Sequence, residues 1–252
     1  MSLVGCVLQG CIEPEPSARI VSVEIDERIP TIAHLSWSAL EGEEARVQLL
    51  SESGQWTSSE DWQTALTDKH TLHVGALPPD SQIQARAQVR TPRGDIESLE
   101  PLSFATDPLP PGFPEITVET NGELSDGLFL THLLSTDQNI IIIIDRAGQP
   151  VWYTIPESSD RILSVQSAPD GESIWFAQHP TNYIEVEGTA HHVALDGSFY
   201  EKHTVDRIHS GVVEIPGDGF GYIYKASEAW QDGTLLWDEI WERDLTGDSH
   251  RI

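Results

Sequence analysis

Histidine, arginine and cysteine are the residues from which this chain could build chemistry. It has ten histidines, two cysteines and only 14 Lys and Arg against 41 Asp and Glu. A neutral imidazole is a nucleophile and a proton carrier near pH 7, and a guanidinium clamps an anion. Seven of the histidines fall in the second half: His132, His179, His191, His192, His203, His209 and His250. None of their spacings is that of a helical metal motif. A mixed set of His191, His192, Asp206 and His209 is the one metal-type combination left open, without recognisable ligand spacing, so no metal and no cofactor are expected. There is also no nucleophile elbow, phosphate loop or dinucleotide fingerprint.

The net charge of −27 and pI near 4.4 exclude a general nucleic-acid binder, whose affinity would come from Lys and Arg. The acids spread along the whole chain, as on a protein made soluble for a salty or exposed environment. With 38% apolar residues and eight Trp the chain can bury a core. No apolar run reaches the ~18 residues of a membrane span.

Both cysteines, Cys6 and Cys11, lie near the start. Leu3-Val4-Gly5-Cys6 resembles a bacterial lipobox, and Leu8-Gln9-Gly10-Cys11 is a poorer second match. Residues 12–17, Ile-Glu-Pro-Glu-Pro-Ser, would then form the tether. Residues 1–17 are therefore expected to be a lipoprotein-type signal remnant and tether, lipidated at Cys6 or Cys11, with the front of the signal outside the sequence. This implies a bacterial cell-envelope location, periplasmic or extracellular, with a lipid anchor. The alternative is an ordinary apolar N-terminal strand with two incidental thiols.

The elements that would position the histidines are strands. Residues 18–107 show short alternating apolar stretches, clearest at Ile83, Ala85, Ala87 and Val89 with Gln82, Gln84, Arg86 and Gln88 facing out. That pattern predicts a β-sandwich. Leu35-Ser36-Trp37, the corner Leu77-Pro78-Pro79-Asp80-Ser81 and the closing Ser103-Phe104-Ala105-Thr106 resemble a fibronectin type III module, although Ile83 stands where that family has a Tyr, so immunoglobulin-like is the broader label. Residues 108–115 hold four prolines and predict a stiff linker to a second domain, 116–252.

That second domain repeats. The turn glycines Gly148, Gly197 and Gly247 are 49 and 50 residues apart, and Gly171 and Gly219 are 48 apart. Each period holds four strands, near 162–167, 172–177, 190–195 and 199–205, then near 209–215, 219–225, 236–244 and 249–252. Four antiparallel strands per period predict β-propeller blades. The run Ile140–Ile144 could be a buried helix, but its β-branched composition favours a strand buried on both faces. The expected fold is all-β: an N-terminal β-sandwich and a partial β-propeller of about three four-stranded blades, where a closed ring needs at least about four. The chain is therefore expected to be incomplete, unless several copies close the ring together.

In a propeller the first strand of each blade lines the central channel, where ligands gather. His209 begins such a strand, at the slot that holds Ile162 one period earlier, with Arg207 and Arg161 just before the two inner strands. A positive rim there would suit an anion.

The segments 145–153, 195–197, 209–219 and 238–247 are similar to the bacterial arylsulfotransferase family. The family carries a His-His-Asp triplet where this chain has His209, Ser210 and Gly211. The resemblance implies an exported propeller that moves a sulfuryl group between phenols through a transiently sulfated histidine. It implies His209 as the catalytic residue, Arg207 and Arg161 as substrate-binding residues, and a small aromatic sulfate or phenol as the partner. The Ser210-Gly211 departure leaves a second reading open, a non-catalytic surface lipoprotein that binds a partner or a glycan through sandwich and propeller. A third, quinoprotein-like reading lacks the repeating Trp motif it would need.

Overall fold

The computed structural model describes residues 19–38, 43–50, 54–58, 62–64, 70–90, 94–119, 127–134, 138–180, 187–215, 219–230, 233–244 and 246–251. Cys6, Cys11 and the turn at 216–218 lie outside these residues. The described chain is all-β, with twenty strands in several antiparallel sheets and no helix among the described residues. It divides into two compact units.

The first unit comprises the described residues within Met1–Val23, Leu35–Leu72 and Ile83–Phe104. It draws on β1 (Arg19–Ile25), β2 (Ala33–Ser38), β3 (Glu44–Leu50), β4 (Trp56–Ser58), β5 (Gln63–Thr64), β6 (His70–Val74), β7 (Gln82–Arg90), β8 (Ile96–Ser98) and β9 (Leu102–Ala105). One sheet runs β1-β2-β6; the other runs β4-β3-β7-β8, with β5 paired to β3 and β9 to β7. The period of two fixes which face is buried: Leu35 and Trp37 from β2, Ala45 and Val47 from β3, and Ile83, Ala85, Ala87 and Val89 from β7.

The second unit comprises Glu24–His34, His73–Gln82 and the described residues within Ala105–Ile252. Its remaining strands are β10 (Phe129–Leu134), β11 (Asn139–Ile144), β12 (Pro150–Thr154), β13 (Arg161–Ser167), β14 (Ser173–His179), β15 (Glu187–Ala194), β16 (Tyr200–Asp206), β17 (Ile208–Ile215), β18 (Gly219–Trp230), β19 (Gly233–Asp244) and β20 (Ser249–Arg251). They form a three-stranded sheet β10-β11-β12 and two four-stranded meanders, β13-β14-β15-β16 and β17-β18-β19-β20.

The three sheets stack, and side-chain alternation shows how. From β11, Ile141 and Ile143 meet Ile162, Ile174, Phe176 and Val193 in one core, while Ile140 and Ile142 turn the other way onto Tyr153, Leu109, Phe113 and Ile116. From β14, Ile174 and Phe176 join the first core, and Trp175 and Ala177 join Ile208, Val212, Phe220 and Tyr222 in the next. A strand buried on both faces has no polar side to alternate with, which explains the isoleucine run. Each such side chain contributes about 1.5–3 kcal/mol of burial. The prolines of 108–115 do not act as a bare spacer: the chain turns at Pro111-Gly112, Phe113 N–H donates to Pro110 O, and Leu109 and Phe113 pack on Tyr153.

Four of the five repeated glycines are turn residues, whereas Gly219 opens β18, where a Cβ would lie 2.6 Å from the Arg243 carbonyl oxygen. Gly148, Gly171, Gly197 and Gly247 have φ of 81°, 75°, 78° and 104°, a region a side chain disfavours. Asp145 Oδ1 accepts the N–H of Ala147 and Gln149, and Asp244 Oδ1 accepts those of Gly247 and Asp248. The period in the sequence is thus a period of capped hairpin turns.

Candidate functional site

His209 sits in a β-bulge. Ile208 pairs with Tyr224 and Val212 with Tyr222, so His209, Ser210 and Gly211 stand opposite Ile223 alone. Ile208 and Val212 are buried in the core against β14, and His209 between them turns away to the outer face of its sheet. Bulges re-aim side chains in this way and concentrate beside sites.

One charged group, Asp238, meets His209 there, and Lys225 shares that carboxylate. Asp238 lies directly across β18–β19 from Lys225, and its Oδ1 accepts the Lys225 ammonium at 3.0 Å. The same oxygen stands 3.3 Å from His209 Nδ1. The contact is not a hydrogen bond, and Nδ1 is buried without another partner among the described residues. The contact is therefore a close approach of the ring nitrogen to the carboxylate. With Nδ1 turned to the carboxylate, Nε2 is the nitrogen left for chemistry, the orientation that an acid gives a catalytic imidazole.

Arg207 has a left-handed backbone, φ 47°. Its carbonyl accepts the Lys225 N–H at 2.9 Å, its Nη1 donates to Ser227 Oγ at 3.1 Å, and its guanidinium lies 5.9 Å from the Tyr224 ring. Strain held in place by three contacts around an arginine is a site-like feature. Beside the cluster, Ile223 and Ile240 occupy the same face two residues from Lys225 and Asp238. They line an apolar depression of about 350 Å3 with Gly211, Val213, Ile215 and Gly221.

Arg161 is not brought into this cluster. It opens β13, on the neighbouring sheet, opposite His179, and its charge together with burial of the ring lowers the His132 pKa, burial being the larger cause. The mixed set of His191, His192, Asp206 and His209 does not assemble. Adjacent on β15, His191 stacks on Phe176 and His192 on Trp175, on opposite faces of their sheet. Among the described residues, no three His, Cys, Asp or Glu side chains are arranged to hold a metal ion.

Two other histidine groups differ in character. His192 borders a cleft of about 500 Å3 lined by Asp170, Glu172, Asp196 and Glu214, an unfavourable setting for an anion. Burial lowers its pKa against the opposing pull of Glu201 and Glu214. His34 links Asp26 at 2.7 Å to His73 at 2.8 Å, while the other Asp26 oxygen accepts the N–H of Arg28 and Ile29. That network fastens the turn that carries Ile29 and Ile32 into the core.

Asp238, Lys225 and Ser227 are not legible in the sequence as site residues, because only strand pairing brings β18 beside Arg207 and sets Asp238 of β19 opposite Lys225. A faint signal exists in Asp238, which opens the segment 238–247.

No protein-family profile matches the chain, and no curated protein sequence matches it. Among solved structures, hydrazine synthase of Kuenenia stuttgartiensis aligns with 98% of this chain and 69% of its own, at 9% identity and a TM-score of 0.35. A structural-genomics protein from Lactobacillus plantarum aligns with 91% of this chain and 69% of its own, at 10% identity and a TM-score of 0.25. At these TM-scores neither likeness carries an argument about this chain.

Proposed function

We propose that the chain is part of an exported, arylsulfotransferase-like β-propeller protein, lipid-anchored in a bacterial cell envelope, whose His209 site transfers a sulfuryl group between phenols. The observation that carries this reading is the contact of His209 Nδ1 with Asp238, beside Lys225 and Arg207 and next to an apolar depression. Such a site suits an amphipathic anion with a flat apolar body. The face-to-face stacking of two four-stranded meanders supports reading them as blades.

In the proposed reaction the Nε2 lone pair of His209 forms a bond to the sulfur of an aryl sulfate as the sulfur–aryl oxygen bond breaks. The electron pair leaves on the phenolate oxygen, which takes a proton from the Lys225 ammonium. Asp238 stabilises the charged, sulfated imidazole, and Arg207 holds the equatorial oxygens. An acceptor phenol returns its proton to Lys225 and takes the sulfuryl group, restoring His209. Arg161 joins this reading only as a second, more distant guanidinium.

The test is transfer from p-nitrophenyl sulfate to a phenol by the full-length protein and by His209→Ala. Release of nitrophenolate that depends on the acceptor and falls about 100-fold or more in the variant is expected. No transfer by the unaltered protein, or full activity in His209→Ala, rejects the assignment.

A further inference from the structure

The first unit carries an ordered ladder of arginines and tryptophans on the solvent face of the β3–β7 pair. Three cross-strand pairs form its rungs: Glu44 with Arg90, Arg46 with Gln88, and Gln48 with Arg86. Each rung is closed by a side-chain bond. Arg90 Nη1 donates to Glu44 at 2.8 Å, Arg46 Nε to Gln88 at 3.0 Å, and Arg86 Nε and Nη2 to Gln48 at 3.0 and 2.9 Å. The indole of Trp62 is stacked with two guanidiniums, Arg46 at 4.5 Å and Arg90 at 4.3 Å, and Trp56 covers Arg86 at 4.1 Å.

This arrangement does two things that a solvated surface arginine does not. Stacking and the glutamine bonds remove the rotamer freedom of the guanidiniums, so an incoming anion would not have to order them. The amide partners also leave charge unspent: of the three ladder arginines, only Arg90 has a carboxylate of the described residues on its guanidinium. The rungs therefore carry three positive charges and one negative one, in a chain whose net charge is −27. Successive rungs are about 7 Å apart along the strands.

We infer that this face binds an anionic polysaccharide, its sulfate or carboxylate groups accepting hydrogen bonds from the free guanidinium edges of Arg46 and Arg86. An extended polymer with anionic groups along it matches a linear ladder, and bidentate oxyanion contacts suit arginine. Single-stranded nucleic acid fits less well, because it needs open aromatic faces for its bases, and here Trp62 is stacked with two guanidiniums and Trp56 with a third. The inference is independent of the reaction proposed for His209; it narrows the glycan-binding alternative to one face and one ligand chemistry.

The experiment titrates the full-length protein with a heparin-derived octasaccharide at about 50 mM salt and again at higher salt, where screening shortens the reach of charge. Saturable binding is expected, weakening with salt and weakening about tenfold or more in the double variant Arg46→Gln and Arg86→Gln. The double variant Arg146→Gln and Lys202→Gln, of equal charge change in the second unit, should bind as the unaltered protein does. If the first double variant fails to fold, phenylglyoxal labelling of the unaltered protein decides: the octasaccharide should protect Arg46, Arg86 and Arg90 but not Arg146. The assignment is overturned if the unaltered protein does not bind, if both double variants weaken alike, or if the ladder is unprotected. Equal affinity for single-stranded DNA or anionic vesicles through the same arginines also overturns it.

Discussion

The imidazole of His191 lies flat on the ring of Phe176, with centroids 4.3 Å apart and planes 3° from parallel. Thr189 Oγ1 is 2.8 Å from its Nε2, and Nδ1 is buried without a partner among the described residues. Burial, aided by the charges of Lys202 and His203, pulls the His191 pKa down from 6.5 to about 3. Between those values the unfolded chain takes a proton that the folded chain refuses, so stability falls as the pH drops through that window. The slope is about 1.4 kcal/mol per pH unit, so the unaltered protein should lose about 2 kcal/mol more than His191→Gln between pH 6.5 and about pH 5. Urea unfolding of both proteins at the two pH values measures this, and parallel losses would sink the idea.

Gly188, on β15, lies close against Ile208 of the neighbouring four-stranded sheet. A Cβ there would lie 2.4 Å from Ile208 Cγ2 and 2.6 Å from the Gln178 carbonyl oxygen. Gly188→Ala should therefore destabilise by about 1–3 kcal/mol or more, as overpacking does. Gly211→Ala, which meets nothing within 4 Å, should stay within about 0.5 kcal/mol. Thermal melts of the two variants that coincide would show that the sheets do not meet at Gly188.

Arg207 offers a way to separate strain from contact. Both Arg207→Gly and Arg207→Ala remove the bond to Ser227 and the contact with Tyr224, but only glycine relaxes the left-handed backbone. The glycine variant should be the more stable by about 1 kcal/mol, with both variants impaired in anion binding. A more stable alanine variant is the outcome that denies the strain.

Gly148 and Gly171 share a positive φ but differ in crowding. A Cβ at Gly148 would lie 3.2 Å from both the Ile116 oxygen and Val118 Cγ2, whereas one at Gly171 meets nothing within 4 Å. Gly171→Ala should cost about 1 kcal/mol of backbone strain alone, and Gly148→Ala more. Chemical denaturation that ranks them the other way would place 116–118 away from this turn.

Much of the second unit is legible in the sequence, because its turns are written in residue types that have one reason to be there. The Asp and Gly pairs around 145–148, 196–197 and 244–247 located strands now found at 161–167, 173–179, 187–194 and 200–206 to within a few residues. Periodicity failed where strands outgrew it. The sequence suggests strands at 219–225 and 236–244, but β18 and β19 run on to Trp230 and back from Gly233 as one long hairpin. Local pattern gives no register, so the pairing of Lys225 with Asp238, and with it most of the His209 site, was out of reach. The arginine ladder was half visible: Arg86 and Gln88 read as outward-facing, but nothing local announced that Trp56 and Trp62 would fold over them.

The bulge at residues 209–211 separates what holds the sheet from what could act on a ligand. Ile208 and Val212 keep the pairing and the core on either side of it. His209, Ser210 and Gly211 carry neither task. Substitutions at these three positions can therefore accumulate without unpicking the strand, and descendants of one ancestral sheet can gain, exchange or lose an activity here while their architecture stays fixed.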